Sequence, residues 1–419
     1  MEILSIGEKI RRARIYKGLK LKDICGESVS ISKMSCIEND KIAAEEWILD
    51  IVAQKLDIDS NYLKQDVEEQ LILNLNDECV NCKENEKEKN INYNLSIAKE
   101  YGYYDIAFKL SHLLFAFYLE KNNCDMCFKT VPDYFTMFIN SKDEKNRLVY
   151  FFDIGEYFSL IKEYEQAANY YKNVRLELLS IDPNQYDMLG EATFKEALCY
   201  YFTKEYNKAY NISNTMIKYK DYVKDGYVIA RIYGLIGLLC VKLGFENYIG
   251  YEEEAYSLCA NNLEYKANIS YFFAKAMVET KFEDKVYEHI KESVKLHPKE
   301  NKKKYYEFMF GIVEVLIKIE KYDEALQYCD SILNYSIQMN INNFIEKAYY
   351  LKAILMDKLD NMNMCEMYMN LSFDMVLKIN DKEMINKRYL DMAKMYYKLK
   401  NSKEAIKYFD LILQSEKKI

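Results

Sequence analysis

Apolar residues along this chain recur every three or four positions, as they do in amphipathic helices. In residues 5–64 this pattern is divided into five short segments. Ser5, followed by Glu8, predicts a capping box at the start of the first helix, and Ser30 predicts the N-cap of the third. The apolar positions of the five predicted helices are Ile6, Ile10 and Ala13; Leu21, Ile24 and Cys25; Val29, Met34 and Ile37; Trp47, Ile48, Ile51, Val52 and Leu56; and Tyr62 and Leu63.

Two of these short helices, joined by a tight turn and braced by the others, predict a helix-turn-helix. In that motif the second helix enters the major groove with its N-terminal half, while basic residues nearby meet phosphates. Because Met34 and Ile37 face the core, the other side of their helix is free for DNA. We expect DNA contacts from Arg11, Arg12, Lys17, Lys20, Ser30, Ile31, Ser32, Lys33, Cys36, Asn39 and Lys41, with Arg14 also near phosphates.

The same segment resembles the Cro and phage-repressor class of helix-turn-helix domains. The resemblance rests on the runs Ile6–Arg11, Lys17–Leu19 and Ser30–Asn39. In that class a Thr-Gln pair usually opens the second helix of the domain, which precedes the helix that enters the groove, and the Gln touches DNA. This chain has Lys20-Leu21 at those positions. The resemblance therefore implies DNA binding but carries no base contact over to Leu21. Ser, Lys, Cys and Ile are weak base readers, so we expect modest sequence specificity.

From about residue 92 onwards, a two-helix unit recurs about every 40 residues. A small residue on the first helix is followed twelve residues later by a small residue on the second, which lets the two helices approach closely. The first-helix positions are Ala116, Gly155, Ala197, Gly237, Ala274, Val313, Ala353 and Ala393. One pair cannot bury its apolar face alone, so neighbouring pairs stack. The pattern resembles tetratricopeptide repeats, of which seven or eight fit.

Such repeats present a concave face that is lined by the first helices and that binds extended peptides. Asn amides satisfy a peptide backbone, Tyr and Phe hold its side chains, and Lys or Arg takes a carboxylate. The repeat positions that usually face inward give these candidate peptide contacts: Glu191, Phe194, Tyr201, Arg231, Asn268, Tyr271, Lys275, Phe310, Glu314, Lys347 and Tyr350. The alternative is a solvated groove with no ligand.

Composition supports a helical fold. The 419 residues include only 12 Gly and 3 Pro, and the turns of β and α/β folds need these residues. We predict an all-α protein: a helix-turn-helix domain at 1–66, a linker helix and polar loop at 67–91, and a right-handed tetratricopeptide-like superhelix for peptide binding and dimerisation at 92–419. The net charge is −8, yet residues 1–41 hold nine basic and six acidic residues, as suits a DNA-reading head.

Two Cys-x-x-Cys pairs, Cys79/Cys82 and Cys124/Cys127, have the spacing of zinc ligands. The 41 residues between the pairs exceed the roughly 15–20 of a zinc ribbon. We therefore predict small packing residues, with zinc or a redox pair as alternatives, and we expect no metal and no cofactor.

Several classes of protein are not indicated by the sequence. It has no phosphate-binding glycine loop, zinc-protease motif or serine-hydrolase motif, so we predict that it is not an enzyme. The longest apolar run, 232–241, is shorter than the roughly 20 residues of a membrane span. The first residues do not resemble a signal peptide. We expect a cytoplasmic protein with reduced cysteines and no membrane partner.

A Cro-like head followed by a tetratricopeptide body resembles the peptide-pheromone regulators of low-GC Gram-positive bacteria, often called RRNPP. The resemblance implies a cytoplasmic homodimer that binds double-stranded DNA and regulates transcription. A short signalling peptide, bound in the repeat domain, would control it in quorum sensing. Two alternatives stay open: an adaptor whose repeats hold a protein partner, and a phage-type regulator of lysis and lysogeny with its own peptide.

Overall fold

The computed structural model describes residues 2–26, 28–76, 83–181, 185–259 and 262–416. These residues form 23 α-helices, and none of them lies in a strand. The chain divides into two compact units, a first unit at Met1–Gln185 and a second at Tyr186–Ile419. The all-α prediction is confirmed.

The head of the first unit consists of five short helices. They are α1 (Ile6–Tyr16), α2 (Leu21–Cys25), α3 (Ile31–Glu38), α4 (Glu46–Leu56) and α5 (Ser60–Lys64). Both N-caps are as the sequence predicts, because Ser5 Oγ accepts from the Glu8 amide and Ser30 Oγ from the Lys33 amide, each at 3.1 Å. The helices enclose an apolar core formed by Ile10, Ile24, Cys25, Val29, Met34, Ile37, Ile48, Leu49, Val52, Ala53, Leu56 and Leu63.

Two helices follow the head, α6 (Val67–Asn76) and α7 (Glu84–Glu100). Helix α7 begins inside the polar stretch that the sequence analysis assigned to a loop. Acidic residues in its first turn favour a helix N-terminus, and Ile91 and Leu95 give it a buried face. The rest of that stretch, 77–82, includes Cys79 and Cys82 and lies outside the described residues.

Eight helix pairs follow α7, as the repeat pattern predicts. In the first unit they are α8 (Tyr104–Glu120) with α9 (Cys124–Asn140) and α10 (Asn146–Leu160) with α11 (Tyr164–Ile181). In the second unit they are α12 (Tyr186–Phe202) with α13 (Tyr206–Ile217), α14 (Gly226–Leu243) with α15 (Tyr248–Leu258), α16 (Leu263–Met277) with α17 (Val286–Leu296), α18 (Lys302–Lys318) with α19 (Tyr322–Gln338), α20 (Asn342–Lys358) with α21 (Met362–Ile379), and α22 (Lys382–Lys398) with α23 (Ser402–Glu416).

At two small residues of the repeat pattern, Gly155 and Gly237, a neighbouring aromatic ring approaches the helix closely. A Cβ placed on Gly155 would lie 2.8 Å from Cε1 of Tyr171, and one on Gly237 would lie 2.6 Å from Cζ of Phe273. Both aromatic rings are fully buried. The space that each glycine leaves is therefore filled by an aromatic side chain, which is the packing that the sequence pattern predicts.

Helix α14 is long and apolar enough to cross a membrane by length and composition. Two-thirds of it, however, is buried inside the protein (67%), and Ile232, Ile236 and Leu239 are fully covered. A single mostly buried apolar helix is also typical of a protein core, so its composition is weak evidence for a membrane span.

A buried polar group joins three helices of the first unit. Asp153 on α10 is 6% exposed and accepts a hydrogen bond from the Tyr134 hydroxyl of α9 at 2.6 Å. His112 Nδ1 of α8 also lies 2.6 Å from Asp153 Oδ2. Burial lowers the pKa of His112, but the hydrogen bond with Asp153 and the charge of Asp153 more than offset this, so the pKa is raised above its usual 6.5. When it is protonated, the imidazole forms an ion pair with Asp153 that joins α8 to α10.

We expect this group to make the first unit more stable in mildly acidic solution. Because the folded-state pKa of His112 is above the unfolded-state value, its contribution is fully present below pH 6.5 and is lost as the pH rises through the folded-state pKa. Amide hydrogen exchange of α8 and α10, corrected for intrinsic rates, measures this change. In His112→Asn the dependence should disappear; an unchanged dependence would assign it to another group.

Candidate functional sites

The N-terminal half of α3 lies on the surface of the head. Met34 and Ile37 are 0% and 1% exposed, whereas Ile31 is 55% exposed. Ser30 and Ser32 are exposed as well. The capped first turn of α3 therefore presents two hydroxyls and an aliphatic side chain to solvent, on the side that the sequence analysis assigned to DNA.

Lys33, also a predicted DNA contact, is held by two residues outside α3. Its Nζ lies 2.8 Å from Glu45 Oε1 and 5.8 Å from the centre of the Trp47 ring. Trp47 Nε1 donates to the other Glu45 oxygen at 2.5 Å. The hydrogen bonds from Lys33 and Trp47 lower the pKa of Glu45. Lys33 is therefore already paired with a carboxylate in this structure. Glu45 was not among the predicted site residues, because its separation of twelve residues from Lys33 matches no helical period.

Two cations of the head, Arg12 and Arg14, form ion pairs with carboxylates of the head itself. Arg14 binds Glu38 through Nε at 2.6 Å and through Nη2 at 3.0 Å, and its side chain is only 16% exposed. Arg12 bonds to Glu2 at 2.7 Å and to Glu8 at 2.8 Å, which raises the pKa of the Arg12 guanidinium. Arg14 therefore stabilises the head, whereas Arg12 is a predicted phosphate contact that is already paired.

Other predicted cations of the head remain available. No described carboxylate lies within ion-pair distance of Arg11, Lys20 or Lys41, and all three are exposed. Lys17 has one weak partner, Asp57, at 3.6 Å. Two further predicted contacts, Cys36 and Asn39, lie at the end of α3. Cys36 is half-buried, and the side-chain amide of Asn39 donates to the Ser35 carbonyl at 2.6 Å.

In the second unit, several candidate peptide contacts form a cluster on α12 and α14. Arg231 of α14 forms an ion pair with Glu191 of α12. Its guanidinium lies 4.8 Å from the Phe194 ring and 4.9 Å from the Tyr227 ring. The cation is thus held between two aromatic faces, which favours a fixed orientation. Tyr227 was not among the predicted contacts.

A second cluster spans α16, α18 and α20. Lys347 lies 2.9 Å from Glu314, and its Nζ is 5.0 Å from the Phe310 ring, which is itself buried. Tyr271 lies across Gly311, where an added Cβ would be 2.5 Å from the Tyr271 hydroxyl. Burial and, less strongly, the charge of Glu314 raise the pKa of Tyr271 to about 12. This cluster offers an aromatic hydroxyl beside a paired cation and carboxylate.

The remaining candidates are more dispersed. The Tyr350 ring lies 3.6 Å from the Arg388 guanidinium. Tyr201 packs against Tyr206, with ring centres 5.6 Å apart, and burial raises its pKa to about 12. Asn268 is half-buried and Lys275 is exposed, both on α16.

The ion pairs of these first helices follow the repeat. Four ion pairs each join a carboxylate on the first helix of one repeat to a cation on the first helix of the next repeat, about 40 residues later. They are Glu191–Arg231, Glu264–Lys304, Glu346–Arg388 and Asp357–Lys398. The separations match the repeat period, so the sequence contains a signal for these pairs that becomes visible only when charges in successive repeats are compared.

The described residues include no group of three or more His, Cys, Asp or Glu arranged to hold a metal ion. Cys127 is buried and Cys124 half-buried at the start of α9. Burial raises the pKa of Cys127 to about 11. This thiol is therefore protonated at neutral pH, which suits a packing residue.

No protein-family model and no curated protein matches this sequence. Solved structures with a similar fold include the apo form of the quorum sensor NprR from Bacillus thuringiensis, which is 16% identical, with 84% of this chain and 100% of that chain covered and a TM-score of 0.48. A Rap protein complexed with Competence and Sporulation Factor is 14% identical, with 84% and 98% covered and a TM-score of 0.48.

PlcR from Bacillus thuringiensis, in complex with the peptide PapR7 and DNA, is 16% identical to this chain. The match covers 66% of this chain and 99% of that chain, with a TM-score of 0.36. NprR, Rap and PlcR, the three proteins of these solved structures, are peptide-responsive regulators of the RRNPP group.

Proposed function

We propose that this chain is a DNA-binding transcriptional regulator that a short signalling peptide controls, as in quorum sensing. It acts in the cytoplasm as a homodimer, with the peptide bound along the first helices of the second unit. The observation that carries the proposal is the exposed first turn of α3, with the available cations Arg11, Lys20 and Lys41 in the same head. Cations supply affinity for phosphates, and the α3 side chains meet base edges.

Peptide control requires that the peptide bind two arrangements of the protein with different affinity. A dimer places two heads on half-sites about 34–36 Å apart, or a multiple of that distance. A peptide that changes the spacing of the heads therefore changes DNA affinity without touching DNA. The clusters around Arg231 and Lys347 support an extended peptide as the ligand, since they place aromatic residues together with charges of both signs on successive first helices.

Selection of bound duplexes from a random DNA library, with the full chain, tests DNA binding. We expect an inverted repeat to be enriched. The variant Arg11→Gln/Lys20→Gln/Lys41→Gln should bind that duplex more weakly and reduce the steepness of the slope of log K against log salt by about 6, or about 1 for each of the three phosphate contacts in each of the two heads.

The matched control replaces three exposed lysines of the repeat body, as Lys129→Gln/Lys142→Gln/Lys172→Gln. It removes the same charge and should leave the slope unchanged. Equal slopes for both triple variants would show that the head cations do not meet phosphates. Enrichment of no duplex, together with capture of a stable protein partner, would favour an adaptor.

The enriched duplex then becomes the probe for the peptide. A pool of short synthetic peptides that changes DNA affinity contains the ligand. The peptide response should be lost in Asn268→Ala, whose amide lies on α16, and kept in Asn343→Ala, whose amide is exposed at the start of α20.

A further inference from the structure

The segment just before α1 is buried against the repeat body rather than against the head. Ile3 is 7% exposed and Leu4 is 9% exposed. Ile3 belongs to the apolar cluster that includes Val67 and Leu71 of α6 and Ile91 of α7. The core of the head is a separate cluster. Among the described residues that precede α6, only Ile3 is a buried member of the apolar cluster that contains Val67, Leu71 and Ile91.

Hydrogen bonds fix the backbone of this segment. The Ile3 amide donates to the Tyr93 hydroxyl of α7 at 3.0 Å. The Leu4 amide donates to Gln70 Oε1 of α6 at 3.2 Å, and Gln70 Nε2 donates back to the Leu4 carbonyl at 2.8 Å. One side-chain amide thus satisfies both polar groups of the Leu4 backbone. Gln70 is itself buried, at 7% exposed, so losing either bond would leave polar groups unsatisfied.

The same network reaches the covalent link between head and body. Helix α5 ends at Lys64 and α6 begins at Val67, so only residues 65–66 join them. Gln70 Nε2 lies 3.2 Å from the Gln65 carbonyl. Lys9 of α1, which is 2% exposed, donates to the same carbonyl at 2.8 Å and to the Tyr62 carbonyl at 2.6 Å.

On its own, a two-residue link acts as a hinge, because rotation about a few backbone bonds would move the head as a body. A cavity of about 310 Å³ between α3 and the end of α7 leaves direct packing there incomplete. Its lining includes Ile37, Ile42, Val67 and Tyr101. A second attachment, made by Ile3 and Leu4 to α6 and α7, removes the freedom that the link leaves.

We propose that residues 2–4 form a strap, closed by Gln70, that fixes the orientation of the α1–α5 head on α6 and α7. Gln70 and Ile3 are positioning residues: they touch no DNA, but they determine where α3 points. The consequence for DNA rests on the proposed function, whereas the strap itself does not. With the strap closed, the two heads of a dimer accept one half-site spacing; with it open, they accept several.

Trp47 makes the strap measurable, because it is the one tryptophan of the sequence and lies in α4 of the head. Its time-resolved fluorescence anisotropy in the full chain should show the slow tumbling of the whole protein. Gln70→Ala and Ile3→Ser should each add a faster correlation time, as the head moves on its link. The controls Gln54→Ala and Ile72→Ser replace an exposed Gln of α4 and a 43% exposed Ile of α6, and they should decay as the unchanged chain does.

Unfolding of the head would also speed the decay, so amide hydrogen exchange in α3 and α4 is measured on the same variants and should stay unchanged. A wild-type decay in both strap variants overturns the proposal, and so does a fast component that appears only with lost protection of α3. On DNA, the strap variants should bind duplexes of altered half-site spacing as tightly as the selected one. If no variant and no wild-type chain binds DNA, the proposed function fails while the anisotropy still decides on the strap.

Discussion

Arg388→Met should destabilise the second unit by about 3–5 kcal/mol, because it leaves a buried carboxylate without its counter-charge. Arg388 of α22 is 4% exposed and Glu346 of α20 is 2% exposed. The guanidinium forms an ion pair with Glu346 and bonds to Asp391 at 3.0 Å. Ser372 also donates to Glu346 at 2.8 Å, but a hydroxyl alone does not neutralise the charge. Urea unfolding, monitored through hydrogen exchange of the α20 and α22 amides, measures the lost stability.

Two further variants separate the buried charge from the lost packing. Glu346→Gln/Arg388→Met removes both charges and should recover much of the stability, since the carboxylate is no longer stranded. Lys398 of α22 forms a more exposed ion pair with Asp357 of α20, with 2.7 Å between Nζ and Oδ1. Lys398→Met breaks that pair and should lower the free energy of unfolding by no more than about 1 kcal/mol. If Arg388→Met costs as little as Lys398→Met, the pair does not support α20 against α22.

The repeat architecture could be predicted because its steric requirement recurs along the chain. Gly155 and Gly237 mark points where a neighbouring aromatic ring occupies the place of a Cβ, and the same kind of position returns about every 40 residues. The N-caps Ser5 and Ser30 were predictable for a similar reason. Each satisfies an amide three residues away, so the whole signal lies within one turn.

Contacts between distant segments could not be predicted in this way. Lys33 and Glu45 are twelve residues apart, and the Ile3 amide and the Tyr93 hydroxyl are 90 apart. No helical or repeat period relates such pairs, so the sequence pattern contains no sign of them. The sequence therefore indicated which side of α3 is exposed, but neither the carboxylate that holds Lys33 nor the strap before α1.

The candidate peptide contacts lie between these two cases. Their positions on first helices follow from the repeat, but their chemistry depends on neighbours from the adjacent repeat. Glu191 and Arg231 were both assigned to a peptide, yet they pair with each other, as do Glu314 and Lys347. Under the proposed function, a charged peptide would have to compete with these pairs, and its binding would be coupled to the contact between successive first helices.

Gly7→Ala should destabilise the head by about 3 kcal/mol, the upper part of the range for an overpacked site. A Cβ at this position would lie 2.4 Å from the Ile37 carbonyl oxygen and 2.7 Å from Asp40 Oδ1. The Gly7 amide also donates to Asp40 at 3.0 Å. The first obstacle is backbone, which cannot rotate away as a side chain can, so α1 and the end of α3 must separate. Trp47 fluorescence during urea unfolding reports the loss within the head.

Gly250→Ala is the matched control, because Gly250 lies in the first turn of α15 and no described atom stands within 4 Å of an added Cβ. There the same substitution should stabilise the helix by at most about 0.5–1 kcal/mol, the value for a helix interior, since alanine loses less backbone entropy on folding. The two variants thus add the same methyl group with opposite expected signs. The shift of α3 in Gly7→Ala should also weaken binding to the selected duplex, whereas Gly250→Ala should leave it unchanged. A Gly7→Ala head as stable as the wild type would show that α1 and α3 do not need this close approach.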